Sequence, residues 1–309
     1  MAAVGLSILA AFGFASSAVL SRQGMQAIFP LPGVMVSLFV SFLLSSVMVL
    51  LFAFSDISGI PQSAVFWILG LGVMNFLGGR SQNFLSVNMI GASWASLFVS
   101  SQAPFAAIFA VTFTGESIHP LVALGTAGVV GGLLFASGDS ILEGWRTDKI
   151  FLLGYLMALG AGASYGATNV MAKQTLQVYD SPLMMTAFSM LVGLVVLSPL
   201  VGASAAHSGV IRTRNTGIRG YRGFLRSLSS FKFVALSGLA SGIAVIAWYF
   251  AVQRADVVVI SPIVSSSPLI TLFLAHLFLA RLERVTRRLA AGAALTVIGV
   301  LLVVWGSQF

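Results

Sequence analysis

The stretch that decides the fold is residues 92–132, which read ASWASLFVSSQAPFAAIFAVTFTGESIHPLVALGTAGVVGG. A related stretch returns at residues 256–299, as DVVVISPIVSSSPLITLFLAHLFLARLERVTRRLAAGAALTVIG. Each copy places a serine-rich turn before a proline, then an apolar run, a glutamate and a series of glycines. The two prolines, Pro104 and Pro268, lie 164 positions apart. This doubled pattern predicts a chain built from two related halves.

The composition is that of a membrane protein. Hydrophobic residues make up 58% of the 309 residues and charged residues only 8%, against about 25% charged residues in an ordinary soluble domain. The eight acidic residues and three histidines lack the spacing of a metal site, and Cys is absent. We therefore expect no cofactor, no metal and no enzymatic activity. The net charge of +8 is better explained by loops that meet anionic lipid headgroups than by nucleic acid.

A helix that crosses a bilayer needs about 20 apolar residues, and this rule predicts ten spans. They cover residues 4–21, 34–54, 63–86, 91–113, 119–137, 150–172, 182–203, 232–252, 257–280 and 288–306. Continuous apolar runs favour helices, because the strands of a barrel would alternate polar and apolar residues.

The polar segment 137–149 divides these spans into two groups of five. An odd number of spans per half inverts the second half relative to the first. The predicted fold is therefore an all-α membrane protein with ten transmembrane helices in two inverted five-helix repeats, residues 1–138 and 150–309. Glycines at helical spacing, as in the pair Gly238 and Gly242, predict close packing between these helices.

The doubled order of motifs carries a resemblance to a known family. Its sharpest marks are a proline in the fourth span of each half and a glutamate followed nine residues later by glycine: Pro104, Glu116 and Gly125, then Pro268, Glu283 and Gly292. With five spans per half, this order resembles the EamA-type transporters of the drug/metabolite transporter superfamily over essentially the whole chain. The resemblance implies a ten-helix carrier of small organic solutes, with a central cavity lined mainly by the first, third and fourth spans of each half.

Arg80 is the most informative single residue, because it lies inside the apolar stretch 66–87. A central arginine costs about 2.5–3.5 kcal/mol on insertion scales, so it should face a cavity or a partner. One interpretation is that its guanidinium grips a carboxylate or phosphate through two parallel hydrogen bonds. The alternative is that the third span ends near Leu77 and Arg80 reaches the membrane interface. By the proline spacing, its counterpart in the second half is Ala244.

Other polar and aromatic residues on these spans complete the predicted substrate-binding set: Asn83, Trp94, Gln102, Tyr165, Asn169, Trp248 and Ser266. Gln102 and Ser266 lie beside the two prolines, each of which removes a backbone donor and creates a polar break in its helix. A serine hydroxyl there can instead bond back to its own helix. The aromatic residues can alternatively serve packing or anchor the protein at the interface. Glu116 and Glu283 are expected in the first turn of the next helix rather than at the solute.

These features predict a secondary transporter, an exporter or facilitator, that moves a small polar or anionic metabolite such as an amino acid by alternating access. We expect a multi-pass protein of the plasma membrane, monomeric or homodimeric, whose partners are a small-molecule substrate and the lipid bilayer. A transporter of amphipathic or lipid-linked substrates is a variant of this hypothesis. A membrane-embedded transferase is the rival from another class, and it would need an aspartate cluster that the sequence lacks.

The basic residues also predict an orientation. The loops after odd-numbered spans hold most of them, whereas those after even-numbered spans hold only Lys173 and Arg254. The positive-inside rule therefore places the odd loops in the cytoplasm and both termini outside. The family resemblance implies the opposite, with both termini in the cytoplasm.

Overall fold

The computed structural model describes residues 2–114, 120–144, 149–208, 221–254, 263–264, 266–280, 282 and 286–306. Within these residues the chain is helical and contains no strand. The helices are α1 Ala2–Gly24, α2 Pro30–Phe52, α3 Gln62–Gly72, α4 Ser81–Ile90, α5 Ala92–Val99, α6 Gln102–Thr114, α7 Pro120–Gly144, α8 Lys149–Val178, α9 Pro182–Ser208, α10 Tyr221–Arg254, α11 Ser267–Phe278 and α12 Arg287–Gly306. A 3-10 helix, Phe54–Gly59, follows α2, and a π-helical segment, Val73–Arg80, joins α3 to α4.

Within the part of the chain that the structure describes, six helical segments are long and apolar enough to cross a membrane: Ala2–Gly24, Pro30–Phe52, Gln62–Ile90, Lys149–Val178, Pro182–Ser204 and Ser229–Arg254. We call Gln62–Ile90 the third span; it consists of α3, the π-helical segment and α4. The outer faces of the six segments carry large apolar side chains, such as Phe66, which is 81% exposed. Exposed apolar faces of this extent fit contact with lipid. The prediction of an all-helical, multi-span protein is confirmed.

Several predicted boundaries differ from the observed ones. The fifth span was expected to end at residue 137, but α7 continues to Gly144. Likewise α10 begins at Tyr221, well before the predicted residue 232. Hydropathy marks the part of a helix that lies in hydrocarbon, whereas the backbone hydrogen bonds of the helix can continue beyond it. The predictions for Glu116 and Glu283 lie outside the described residues.

The two halves contact each other in equivalent pairs. Helix α1 packs along α10, and the third span packs along α8. The contact between α2 and α10 has its equivalent in the contact between α9 and the third span. In the same way, the contact between α6 and α8 has its equivalent in the contact between α11 and α1. The remaining major contacts pair α2 with α9 and α7 with α12, which hold the same place in their respective halves. Two related repeats packed about a pseudo-two-fold axis produce this pattern.

Glycines permit the closest of these approaches. A β-carbon at Gly128 in α7 would lie 3.0 Å from the Cα of Gly299 in α12. One at Gly238 in α10 would lie 3.0 Å from the Cα of Ser37 in α2. On α8, a β-carbon at Gly166 would lie 2.8 Å from a main-chain nitrogen of α6. The prediction that these glycines serve helix packing is confirmed, since any side chain there would push the backbones apart.

One end of the bundle is marked by Arg22, near the end of α1. Its guanidinium donates to the carbonyl oxygens of Val87, at 3.0 Å, and Asn88, at 2.7 Å. The Val87 carbonyl also accepts from the Gly91 N–H at 3.1 Å, so Arg22 adds a second donor to Val87 and supplies one to Asn88 near the end of α4. A single residue, Gly91, then links α4 to α5 with φ of 91°, a conformation that favours glycine. We call this the Arg22 end.

At the other end of the bundle, Asp56 lies in the 3-10 helix that follows α2, and the two halves are joined there. The hydroxyl of Ser181 donates to the Asp56 carboxylate at 2.8 Å, and the Tyr179 hydroxyl donates to its backbone carbonyl at 2.9 Å. Burial, and to a smaller extent the nearby Asp56 carboxylate, raises the pKa of Tyr179, so this hydroxyl remains a donor. Gln253 donates to Asp180 at 3.1 Å. We call this the Asp56 end.

These contacts fix the relative directions of the helices. Helix α1 ends at the Arg22 end, whereas α8 ends next to Tyr179 at the Asp56 end. The first helices of the two halves therefore run in opposite directions, as an inverted repeat requires.

Candidate functional site

A cavity of about 160 Å³ lies in the middle of the bundle. Its walls come from α1, the third span and the α5–α6 region of the first half, and from α8, α10, α11 and Val264 just before α11 in the second half. These are the first, third and fourth spans of each half, as the family resemblance implied. The aromatic part of the lining consists of Phe14, Phe76, Phe84, Tyr165 and Trp248.

Arg80 lines this cavity from the end of the π-helical segment. It is 5% exposed, and its Nη2 donates to the hydroxyls of Ser37 at 2.7 Å and Ser41 at 3.2 Å on α2. The helix continues for ten residues beyond it, to Ile90. The alternative in which the span ends near Leu77 and Arg80 reaches the membrane interface is therefore wrong.

The charge of Arg80 is not neutralised by a described side chain. Arginine has five N–H donors, and both of its hydrogen bonds leave from Nη2. Within the described part of the chain, the other three donors meet no protein acceptor, and no carboxylate pairs with the guanidinium. A buried charge without a counter-ion is strongly destabilising. A solute anion, or water in its absence, can accept hydrogen bonds from these three donors.

The π-helical segment and two glycines bring α8 close to Arg80. A β-carbon at Gly78 would collide with the Ser164 side chain, and one at Gly79 would collide with the ring of Tyr165. Tyr165 lines the cavity together with Asn83, one turn beyond Arg80. A π-helical turn holds an extra residue and is frequent at functional sites. Here it ends at the residue whose charge faces the cavity.

The structure brings together six of the eight predicted substrate-binding residues. Arg80, Asn83, Gln102, Tyr165, Asn169 and Trp248 all line the cavity. Their assembly supports the prediction that they bind solute, which stays a prediction.

Ser266 and Trp94 are not among the residues that line this cavity. The Ser266 hydroxyl donates to the carbonyl of Ile263 at 2.6 Å, the local bond that a serine before a helix can form. Trp94 packs edge-on against Tyr155 with ring centroids 6.0 Å apart. It lines a second cavity at the Arg22 end, together with Arg22 and Phe151.

Sequence reasoning did not select several further lining residues, chiefly small polar side chains: Ser17, Ser21, Asn75, Ser96, Ser100, Thr168, Ser241, Ser267 and Thr271. Helical spacing could have found part of this set. Val245 and Ser241 lie one and two turns before Trp248 on the same face, and Thr168 adjoins Asn169. Ser37 and Ser41, which hold Arg80 from another helix, left no such signal.

The fourth span is interrupted at the cavity. Helix α5 ends at Val99 and α6 begins at Gln102, so Ser100 and Ser101 form a turn between them. Gly162 of α8 packs there, because a β-carbon on it would lie 3.2 Å from the Val99 carbonyl oxygen. This break places Ser100 and Gln102 in the cavity wall, and it lies close to Pro104, where a polar break was predicted.

Comparison with known proteins agrees with this architecture. The model of the EamA-like transporter family matches residues 1–138 and again residues 152–305. A solved crystal structure aligns over 97% of this chain and 95% of its own, with a TM-score of 0.63 and 18% identity, so that likeness concerns the fold alone. No curated protein matches the sequence. Because the two family matches cover nearly the whole chain, this protein belongs to the EamA-like transporter family.

Proposed function

We propose that this membrane transporter is a secondary carrier, an exporter or facilitator, of a small polar metabolite with an acidic group. Ten spans in two inverted repeats, residues 1–138 and 150–309, would rock about the central cavity. The plasma membrane is the proposed location, and the carrier acts as a monomer or homodimer.

The observation that supports this proposal best is the state of Arg80. Its guanidinium is buried and held from behind by two hydroxyls of α2, and three of its five donors lack a protein acceptor in the described structure. A carboxylate or phosphate accepts such donors in a planar, bidentate geometry. Asn83, Asn169 and Gln102 supply amide groups on facing helices. The solute would thus meet one fixed cation and several adaptable hydrogen-bonding groups.

Alternating access is supported by the difference between the two ends. At the Asp56 end, Tyr179 and Ser181 of the second half bond to Asp56 of the first half. At the Arg22 end, a second cavity lies between Trp94 of the first half and Phe151 of the second. We propose that the protein exposes its central cavity to one side of the membrane and then the other. In this motion the contacts to Asp56 break while the second cavity, at the Arg22 end, closes. The interruption at Ser100–Ser101 supplies a natural hinge.

Counterflow measurements test this function. In liposomes that contain the purified protein and an unlabelled organic acid, labelled organic acid added outside should be exchanged inward. Liposomes loaded with a neutral sugar should not take up the labelled sugar in this way. An Arg80→Ala protein should lose exchange of the acids. If that variant exchanged an acidic solute at the wild-type rate, the docking role of Arg80 would be wrong.

The aromatic lining favours a second candidate, a carrier of amphipathic or lipid-linked substrates. Phe14, Phe76, Phe84 and Trp248 offer an apolar surface beside Arg80. Under this alternative, Trp248→Ala should reduce transport more than Arg80→Ala does. The reverse order of effects supports the acidic metabolite.

A further inference from the structure

We infer that the cavity selects solutes with net negative charge and no free ammonium group, so that it prefers a 2-hydroxy acid over the amino acid of the same shape. This inference rests on the proposed function and narrows its substrate class. It follows from the charges and hydrogen-bonding groups that face the cavity.

The first step is the charge of the lining. Arg80 is the only lysine, arginine, aspartate or glutamate among the described residues that line the cavity. Asp56 and Asp180 lie at the Asp56 end and not in the cavity lining. There Asp56 accepts a hydrogen bond from Ser181, and Asp180 accepts one from Gln253. A solute of charge −1 therefore neutralises the site, whereas a zwitterion leaves the positive charge of Arg80 in place.

The second step is the position that an ammonium would take. When a carboxylate docks on Arg80, the substituent on the adjacent carbon lies only a few atoms from the guanidinium. A protonated amine there would place two like charges together inside a buried site, which disfavours the charged form. A hydroxyl at the same position carries no charge. It also needs only the ordinary hydrogen bonds that an amide can provide.

The third step is the chemistry of the facing groups. Asn83 lies one helical turn from Arg80 in the cavity wall, and Asn169 and Gln102 complete the amide set. Each amide can donate or accept, so each can serve a hydroxyl in either direction. The Thr168 hydroxyl already donates to the Ser164 carbonyl at 2.8 Å. No described lining residue carries a carboxylate, so an ammonium would meet only neutral amide and hydroxyl oxygens and aromatic rings such as that of Trp248.

Matched pairs of solutes test the inference. Lactate and alanine differ only in a hydroxyl against an ammonium, and so do glycerate and serine. Purified protein in liposomes should exchange lactate and glycerate at least tenfold faster than alanine and serine at equal concentration and near-neutral pH. Protein-free liposomes control for passive leakage of the acids.

The outcomes separate the two proposals. Exchange of the amino acids at rates equal to or above those of the hydroxy acids overturns this inference and leaves the proposed function standing. It would point to cation–π binding at Trp248 in place of a carboxylate. Exchange of none of the four solutes overturns this inference, and the proposed function falls with it if no other labelled organic acid is exchanged either.

A charge-conversion variant adds a second readout. Asn169→Asp places a carboxylate in the cavity wall on α8, and it should shift the ratio of alanine to lactate exchange at least tenfold towards alanine. Gln174→Glu is the matched control, because it makes the same chemical change on α8 at a residue that does not line the cavity. A wild-type ratio in Asn169→Asp contradicts the charge argument.

Discussion

The third span and α10 hold the same place in the two halves, yet they treat their central residue differently. In the third span a π-helical segment ends at Arg80, whose guanidinium meets two serines of α2 and faces the cavity. Helix α10 is a regular helix, and Ala244, the counterpart of Arg80, is fully buried. There a β-carbon added to Gly13 of α1 would lie 2.8 Å from the Ala244 Cβ.

The difference shows how a duplicated scaffold can divide its tasks. A methyl group at position 244 allows α1 and α10 to pack closely, which in lipid depends on small residues. An arginine at position 80 requires room, polar partners and the wider turn of a π-helix. One half thus supplies the charge of the cavity, and the other supplies close packing together with the side chains of Ser241 and Trp248.

The largest effect should come from exchanging the two roles. We expect the double variant Arg80→Ala with Ala244→Arg to lose anion exchange at least about 30-fold, since removing one partner of a buried charged contact costs about 2–5 kcal/mol. It should also be much less stable, because position 244 has no room for a guanidinium. Counterflow and thermal unfolding in detergent measure the two effects. Arg80→Ala alone should lose exchange and keep its stability, and equal stability of both variants would contradict the assigned packing role of Ala244.

A smaller effect is expected when only the packing at Ala244 is disturbed. Gly13→Ala should destabilise the protein by about 1–3 kcal/mol, because the new methyl group overpacks the contact between α1 and α10. Its melting temperature should fall by several degrees. Gly5→Ala on the same helix is the control, since a β-carbon at Gly5 meets nothing within 4 Å. Identical melting temperatures for the two variants would disprove the close contact.

The hydroxyls behind Arg80 should have a milder influence on transport. Ser37→Ala removes a hydrogen bond to a charged group, worth about 1.5–3 kcal/mol, and should raise the KM for an acidic solute about tenfold by letting the guanidinium move. Ser45→Ala, two turns further along α2, is the control. The Ser45 hydroxyl donates to the Phe42 carbonyl at 2.9 Å instead of accepting from Arg80. If both variants have the same KM, Ser37 does not position Arg80.

The orientation test should leave transport unchanged. The third span ends at the Arg22 end, and α10 ends at the Asp56 end. The orientation of the protein in the membrane therefore decides which of these two ends faces the cytoplasm. The chain has no Cys, and Asn215→Cys would place a single thiol in the predicted cytoplasmic loop after the seventh span. An impermeant thiol reagent should then fail to label intact cells. Labelling from outside would support cytoplasmic termini, which the family resemblance implies.

The sequence by itself determined the helical class, the two related halves and the presence of a buried arginine. These properties follow from local rules, because apolar runs of fixed length must become helices in lipid and a repeated motif requires a repeated unit. Gln102, Asn169 and Trp248 were selected from spans that the family resemblance implied would line the cavity. The same reasoning did not exclude Ser266 and Trp94, whose neighbours in space were unknown.

Only the tertiary structure decided which polar groups share one cavity. Arg80 meets Ser37 and Ser41, 43 and 39 positions away, and no sequence pattern connects these residues. The close packing of the Tyr165 ring against Gly79 likewise depends on how α8 lies against the third span and its π-helical segment. Hydropathy decides which segments enter the membrane, whereas contacts between helices decide where each buried side chain points and therefore which polar groups share the cavity.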